Sequence, residues 1–235
     1  MSQWDYGRAL PPELWHLLKT CEAAGQCQSP VDIQVAAAVA NPRLGPVVTK
    51  YKPVSLEAFF FTHLHLEVEV EEDAGGVEIQ GTCFPLKQFH VHAPAEHVVN
   101  GRLAKMEIHL VHSDGTRNYV LGVFVEQGDT DHPFVQSLVD RLPHLLHKPE
   151  ALKLWSDGIP KINPEDSLPK SRSYSSYRGS LTTPPCTENT SFFLFASPIH
   201  ASASQIEAFE KYVPGGNNRP VQPLNGRTIE YDDAT

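Results

Sequence analysis

Two short stretches decide the fold: Gln88-Phe89-His90-Val91-His92 and, beyond the pair Asn100-Gly101, Met106-Glu107-Ile108-His109-Leu110. Each alternates polar and apolar residues, the period of a strand that turns one face to a core. Extended, the first places Gln88, His90 and His92 on one face and Phe89 and Val91 on the other. The second places Glu107 and His109 together, opposite Met106, Ile108 and Leu110. Asn-Gly is a strong two-residue hairpin signal because both positions accept positive φ. A hairpin centred there pairs residues whose numbers add to 201, so the spacing predicts His92 opposite His109. Their Cβ atoms would then lie about 5 Å apart, with His90 on the diagonal.

Outward from this core the same period continues. Leu64, Leu66, Val68 and Val70 alternate with His63, His65, Glu67 and Glu69. Val77–Thr82, Leu86–His92, Met106–His112, Asn118–Val125 and Ser191–Phe195 read as further strands. Ser113-Asp114-Gly115 is a turn signal between two of them. Glu13–Thr20, Phe134–Leu146 and Gln205–Tyr212 read as helices, and Gly215–Pro220 as loop. With 20 Pro and 15 Gly spread along the chain and no repeat or long linker, the elements are short. The expected fold is α+β, mainly β: one domain over 1–235, on a large, mainly antiparallel twisted sheet with short peripheral helices.

The 235 residues carry 40% hydrophobic and 20% charged side chains, which excludes a disordered chain. A net charge of −9 argues against a nucleic-acid partner, which needs a basic face. It favours a small neutral or diffusible substrate. No apolar run approaches the ~18 residues of a membrane span. Met1–Gln3 is not a basic region leading into an apolar core, so no signal peptide is expected in this chain. Cys21, Cys27, Cys83 and Cys186 form no CxxC pair; four half-buried thiols and one or two disulfides both fit.

Three neutral imidazoles on one sheet face suit Zn²⁺ and leave a fourth tetrahedral position for water, as in a catalytic site. Without an anionic ligand the ion keeps its full charge and favours bound hydroxide near neutral pH. Gln88 and Glu107 share faces with the ligands and are candidates to hold their outer ring nitrogens.

Beyond these residues, several stretches resemble the α-class carbonic anhydrases, in particular the bacterial type. They are Trp4–Gly7, Gln28–Ile33, Gln88–His97, Glu107–His112, Gly179–Pro185 and Asn218–Arg227, in the family's order along nearly the whole chain. The resemblance implies zinc on His90, His92 and His109, and reversible hydration of CO2 to bicarbonate and a proton by zinc-bound hydroxide, with esterase activity on the side. It implies that Thr182 accepts a hydrogen bond from that hydroxide and donates one to Glu96. Val111, Val120, Leu181 and Thr183 would form the substrate pocket, with Tyr6 near its solvent. Retention of all three histidines, Thr182 and Glu96 argues against an inactive binding module.

The chain departs from the family in three places. The proton-shuttling position falls on Leu64, flanked by His63 and His65, so one of those histidines or buffer would carry the proton. Phe192 stands where the family usually has Trp. Cys186 matches a bacterial disulfide cysteine, and the implied bridges are Cys21–Cys186 and, as a second, Cys27–Cys83. Disulfides imply the periplasm or the outside of the cell, and bacterial relatives imply a homodimer.

Overall fold

The computed structural model describes residues 4–6, 10–54, 56–62, 65–70, 73–142 and 161–232, without the side chains of 56–62, 65 and 66. The strands begin with β1 Asp32–Ile33, β2 Val39–Ala40, β3 Val48–Tyr51, β4 Leu56–Thr62 and β5 His65–Val70. They continue with β6 Gly75–Ile79, β7 Thr82–His92, β8 Val98–Val99, β9 Arg102–Leu103 and β10 Met106–Ser113. The last are β11 Asn118–Gly128, β12 Tyr174–Gly179, β13 Thr190–Phe195, β14 Ile199–Ser202 and β15 Glu230–Tyr231. Two described α-helices, α1 Pro133–Val139 and α2 Ala203–Glu210, lie at the periphery.

One large sheet runs β2-β15-β12-β13-β11-β10-β7-β5-β4, with β14 added to β11, and β6 and β3 beyond β7. Most neighbours are antiparallel; β11 pairs in parallel with β13 and β14, as does β15 with β2, so the sheet is mixed. β10 sits between β7 and β11 and is buried on both faces. Its even residues Met106, Ile108 and Leu110 join Phe89, Val91, Leu121, Val123 and Val125 in one core, closed by Phe134 and Leu138 of α1 and Ile206 and Phe209 of α2. Full burial of each such side chain contributes about 1.5–3 kcal/mol. Its odd residue Val111 joins Val120, Phe124, Phe192 and Leu194 in a second cluster on the opposite face. Glu107 and His109 lie on that second face, so the alternation expected of β10 holds.

The expected register does not hold. His109 pairs with His90, and His92 with Glu107. Asn100-Gly101 does form a hairpin turn, and its pairs Val98–Leu103 and Val99–Arg102 do add to 201. That hairpin is only the tip, β8 with β9 in a separate sheet. From Val98 back to His92 the chain spends two more residues than from Leu103 on to Glu107, so the strands below slip by two. A slip of two leaves every side chain on its own face, and the three histidines still converge.

Other expectations shift at their ends. Val77–Thr82 is broken by a turn at Gln80-Gly81, both at positive φ, which separates β6 from β7. The N-terminal helix is a short 3₁₀ segment, Pro12–Leu17, anchored by buried Trp15. The last helix starts at Ala203 because Ser202 and Gln205 form a reciprocal capping box. Of Phe134–Leu146, residues 143–146 lie outside the described residues.

All four cysteines are thiols in this structure, so neither expected bridge is formed in it. Cys21 and Cys186 do meet, Sγ to Sγ at 3.1 Å, a hydrogen-bond contact rather than a bond of about 2 Å. Cys27 has its backbone N–H on the Glu188 carboxylate, whereas Cys83 lies in β7 against Glu78 of β6.

Candidate metal centre

Two adjacent strands supply the three imidazoles. His90 and His92 stand two apart on β7, and His109 stands on β10. One ring nitrogen from each lies within 4.8 Å of the others, and all three residues are buried. A Cβ at Gly122, the β11 partner of His109, would overlap the end of the Leu194 side chain and come 3.2 Å from Glu107 Oε1, so a side chain there would have to displace Leu194 and crowd the Glu107 carboxylate.

Every outward nitrogen faces an acceptor. His90 Nδ1 lies 2.7 Å from Gln88 Oε1, His92 Nδ1 2.8 Å from the Asn217 carbonyl, and His109 Nε2 2.7 Å from Glu107 Oε1. Acceptors there hold the ring protons outward, so the inward nitrogens present lone pairs. His90 Nε2 and His109 Nδ1 lie 3.2 Å apart. Two lone pairs at that distance repel unless a cation lies between them. A tetrahedral zinc with Zn–N bonds of ~2.0–2.1 Å has N···N edges of about 3.3–3.4 Å. The donor set therefore fits zinc in chemistry and in spacing.

Glu107 is the hub behind the ligands. Its Oε2 accepts the backbone N–H groups of Glu96 and His97, and its Oε1 meets His97 Nδ1 and His109 Nε2. Burial alone would raise its carboxyl, but His97 and His109 hold it well below the usual carboxylate range. His97 continues the chain: its Nε2 lies 2.6 Å from the Tyr177 hydroxyl, which lies 2.9 Å from Ser29 Oγ. Asn217 is braced by its own side chain, which accepts from Ala93 N and donates to the Val91 carbonyl.

Glu96 is fully buried, and burial pushes its carboxyl up to about 7 against His109, the Arg219 backbone N–H and the Thr182 hydroxyl, which pull it down. That N–H donates to Glu96 Oε1 at 2.9 Å. Thr182 is thus tied to Glu96 on one side and lines the pocket on the other.

The pocket is about 60 Å³, lined by His90, His109 and Gln88, by Val111, Val120, Leu181 and Phe192, and by Glu67, Thr182, Thr183 and Thr190. It suits a substrate of a few heavy atoms; drug-sized ligands need ~300 Å³ or more. Phe192 stacks on Tyr177, centroids 5.3 Å apart, and meets His97 and His109 edge-on. Tyr6 packs against Trp4 and Trp15, its hydroxyl pKa raised by burial and by Glu96. His63 lies outside the described residues, and of His65 only its place in β5, paired with Thr62, is described.

Comparison with known proteins bears on this geometry directly. The sequence profile of the eukaryotic-type carbonic anhydrases matches residues 10–233. The chain belongs to this family. Among its relatives, a carbonic anhydrase of Neisseria gonorrhoeae is 34% identical over 97% of this chain and 87% of its own length. One from Klebsiella pneumoniae is 33% identical over 97% of this chain and 90% of its own. The α-carbonic anhydrase of Thermovibrio ammonificans, solved with sulfanilamide, superposes with a TM-score of 0.87 at 36% identity, covering 98% of this chain and 99% of that one.

As a carbonic anhydrase, the protein hydrates CO2 reversibly to bicarbonate and a proton, and its cofactor is zinc. Sequence reasoning missed Asn217, the third holder of a ligand, because a loop carbonyl has no period and no side-chain signature. It also left His97, Tyr177 and Arg219 without roles, although His97 and Arg219 fall in the stretches that carry the resemblance.

Proposed function

We propose that the pocket residues divide the hydration of CO2 as follows. His90, His92 and His109 hold zinc, each kept in its tautomer by Gln88, Asn217 or Glu107. When bound, zinc would supply the Lewis acidity that makes water a nucleophile near neutral pH. Thr182 donates its hydroxyl proton to Glu96, so its oxygen can only accept from the attacking oxygen. That fixes which lone pair points at the substrate carbon, an orientation effect. Val111, Val120, Leu181 and Phe192 present an apolar wall that takes uncharged CO2 and sheds water, and Thr183 borders it. His63, His65 or buffer carries the released proton. The observation that supports this reading best is the convergence of three inward lone pairs on a pocket that also contains Thr182.

The small pocket supports a minor esterase activity, confined to esters whose activated carbonyl reaches the same corner. The Cys21–Cys186 contact supports a bridge that forms in an oxidising compartment, the periplasm or the medium. Intact mass after thiol alkylation should show two blocked cysteines in protein recovered from such a compartment and four after reduction; four before reduction would remove the bridge.

Thr182→Ala tests the division of labour. The variant should keep one zinc per chain while kcat/KM for CO2 falls about 100-fold. Unchanged turnover would show that Thr182 does not orient the nucleophile.

A further inference from the structure

The pocket has two unlike sides. Across the sheet one row of partners reads Gly122 on β11, His109 on β10, His90 on β7 and Glu67 on β5. On the β11 side the pocket wall is Val120 and Phe192; on the β5 side it is Glu67. Glu67 therefore stands one strand, about 5 Å, from His90. Glu69, its neighbour on the same face, pairs with Gln88 and adds a second, exposed carboxylate further out. Thr182 and Glu96 already account for orientation of the nucleophile, so the catalytic scheme leaves Glu67 unused.

The reaction converts an uncharged substrate into an anion in the same place. A fixed negative charge on the wall raises the free energy of a bound anion and leaves an uncharged ligand of the same shape untouched. We infer that Glu67 is a specificity-determining residue whose carboxylate makes the pocket discriminate against small anions, bicarbonate among them, in favour of uncharged linear molecules such as CO2. The inference rests on the zinc reading above. It implies that bicarbonate leaves more readily than a neutral wall would allow, and that ambient monoanions compete weakly for the site.

Burial and the Glu69 charge raise the Glu67 carboxyl from its ordinary 4.5, the expected behaviour of an acid that shares a partly enclosed wall with a second one. Between a charge on this wall and one at the imidazoles, an effective dielectric between that of a protein surface and that of water gives a discrimination of about threefold to tenfold.

The test compares two linear ligands of three heavy atoms, azide, which is charged, and cyanamide, which is not. Calorimetric dissociation constants are measured at pH 7 on zinc-loaded wild type, Glu67→Gln and Glu67→Asp. Both ligands displace whatever holds the site, so the ratio of their constants isolates the charge effect. In Glu67→Gln the ratio should move threefold to tenfold in favour of azide; in Glu67→Asp, which keeps the charge, it should stay within twofold of wild type. A ratio unchanged in Glu67→Gln, or moved equally in both variants, overturns the inference while leaving the zinc reading intact. A wild type that holds no zinc and binds neither ligand overturns both.

Discussion

Replacing His109 with alanine is expected to remove zinc and CO2 hydration together. His109 supplies one of three inward nitrogens and is the only one on β10; its Nδ1 lies 3.2 Å from His90 Nε2. With it gone, two imidazoles on one strand remain, too few for a closed three-point grip. Loss of an outer partner typically costs 10–100-fold in metal affinity, and loss of a ligand must exceed that. Zinc carried through purification should fall from one per chain to below about a tenth, and hydration to the rate of buffer alone. The Glu107 carboxylate keeps its bonds to His97 and to two backbone N–H groups, so the variant should still fold. A His109→Ala protein with full zinc would show that another side chain completes the site.

Glu107→Gln is the second large effect, and it strikes both stability and metal. The carboxylate accepts four hydrogen bonds at 2.7–2.9 Å in a fully buried position. An amide offers one acceptor oxygen, and its NH₂ then faces N–H donors that have nowhere else to turn. Leaving such groups unsatisfied costs about 3 kcal/mol, or roughly 6–12 °C in melting temperature for a chain of this size. Freed from Glu107, His109 can also adopt the wrong tautomer, so zinc affinity should drop 10–100-fold.

The sign with pH follows from the held-down carboxyl. Its unfolded value is near 4.5 and its folded value well below, so Glu107 stabilises the fold at every pH above about 4.5. That contribution is lost as pH falls through the folded value. The gap in melting temperature between wild type and Glu107→Gln should therefore be widest at neutral pH and shrink below about pH 4.5. A gap that is flat across this range, or absent at neutral pH, would mean that Glu107 does not carry the network.

Much of this was legible in the chain because strands write their faces into the sequence with a period of two. Alternation in Gln88–His92 and Met106–Leu110 puts the three histidines, Gln88 and Glu107 on one face in every register that differs from the expected one by an even number of residues. For that reason the two-residue slip between β7 and β10 changed partners without scattering the site. The Asn100-Gly101 turn was legible locally, but an Asn-Gly pair carries information only about the residues it joins. The unequal arms between the hairpin tip and the long strands have no signature.

Thr182 and Glu96 became legible only through the family resemblance, since each lies outside any periodic run. Asn217 stayed hidden even then, because it acts on His92 through its carbonyl oxygen from 125 residues downstream. The pairing of Cys21 with Cys186 was legible through the resemblance, and the two sulfurs meet at 3.1 Å as thiols.

Metal content together with zinc-edge X-ray absorption on the purified protein probes the centre itself. The geometry predicts one zinc per chain bound by three imidazole nitrogens at ~2.0–2.1 Å and one oxygen from solvent. A chain without zinc, a sulfur donor, or a fourth ligand from the protein would contradict it.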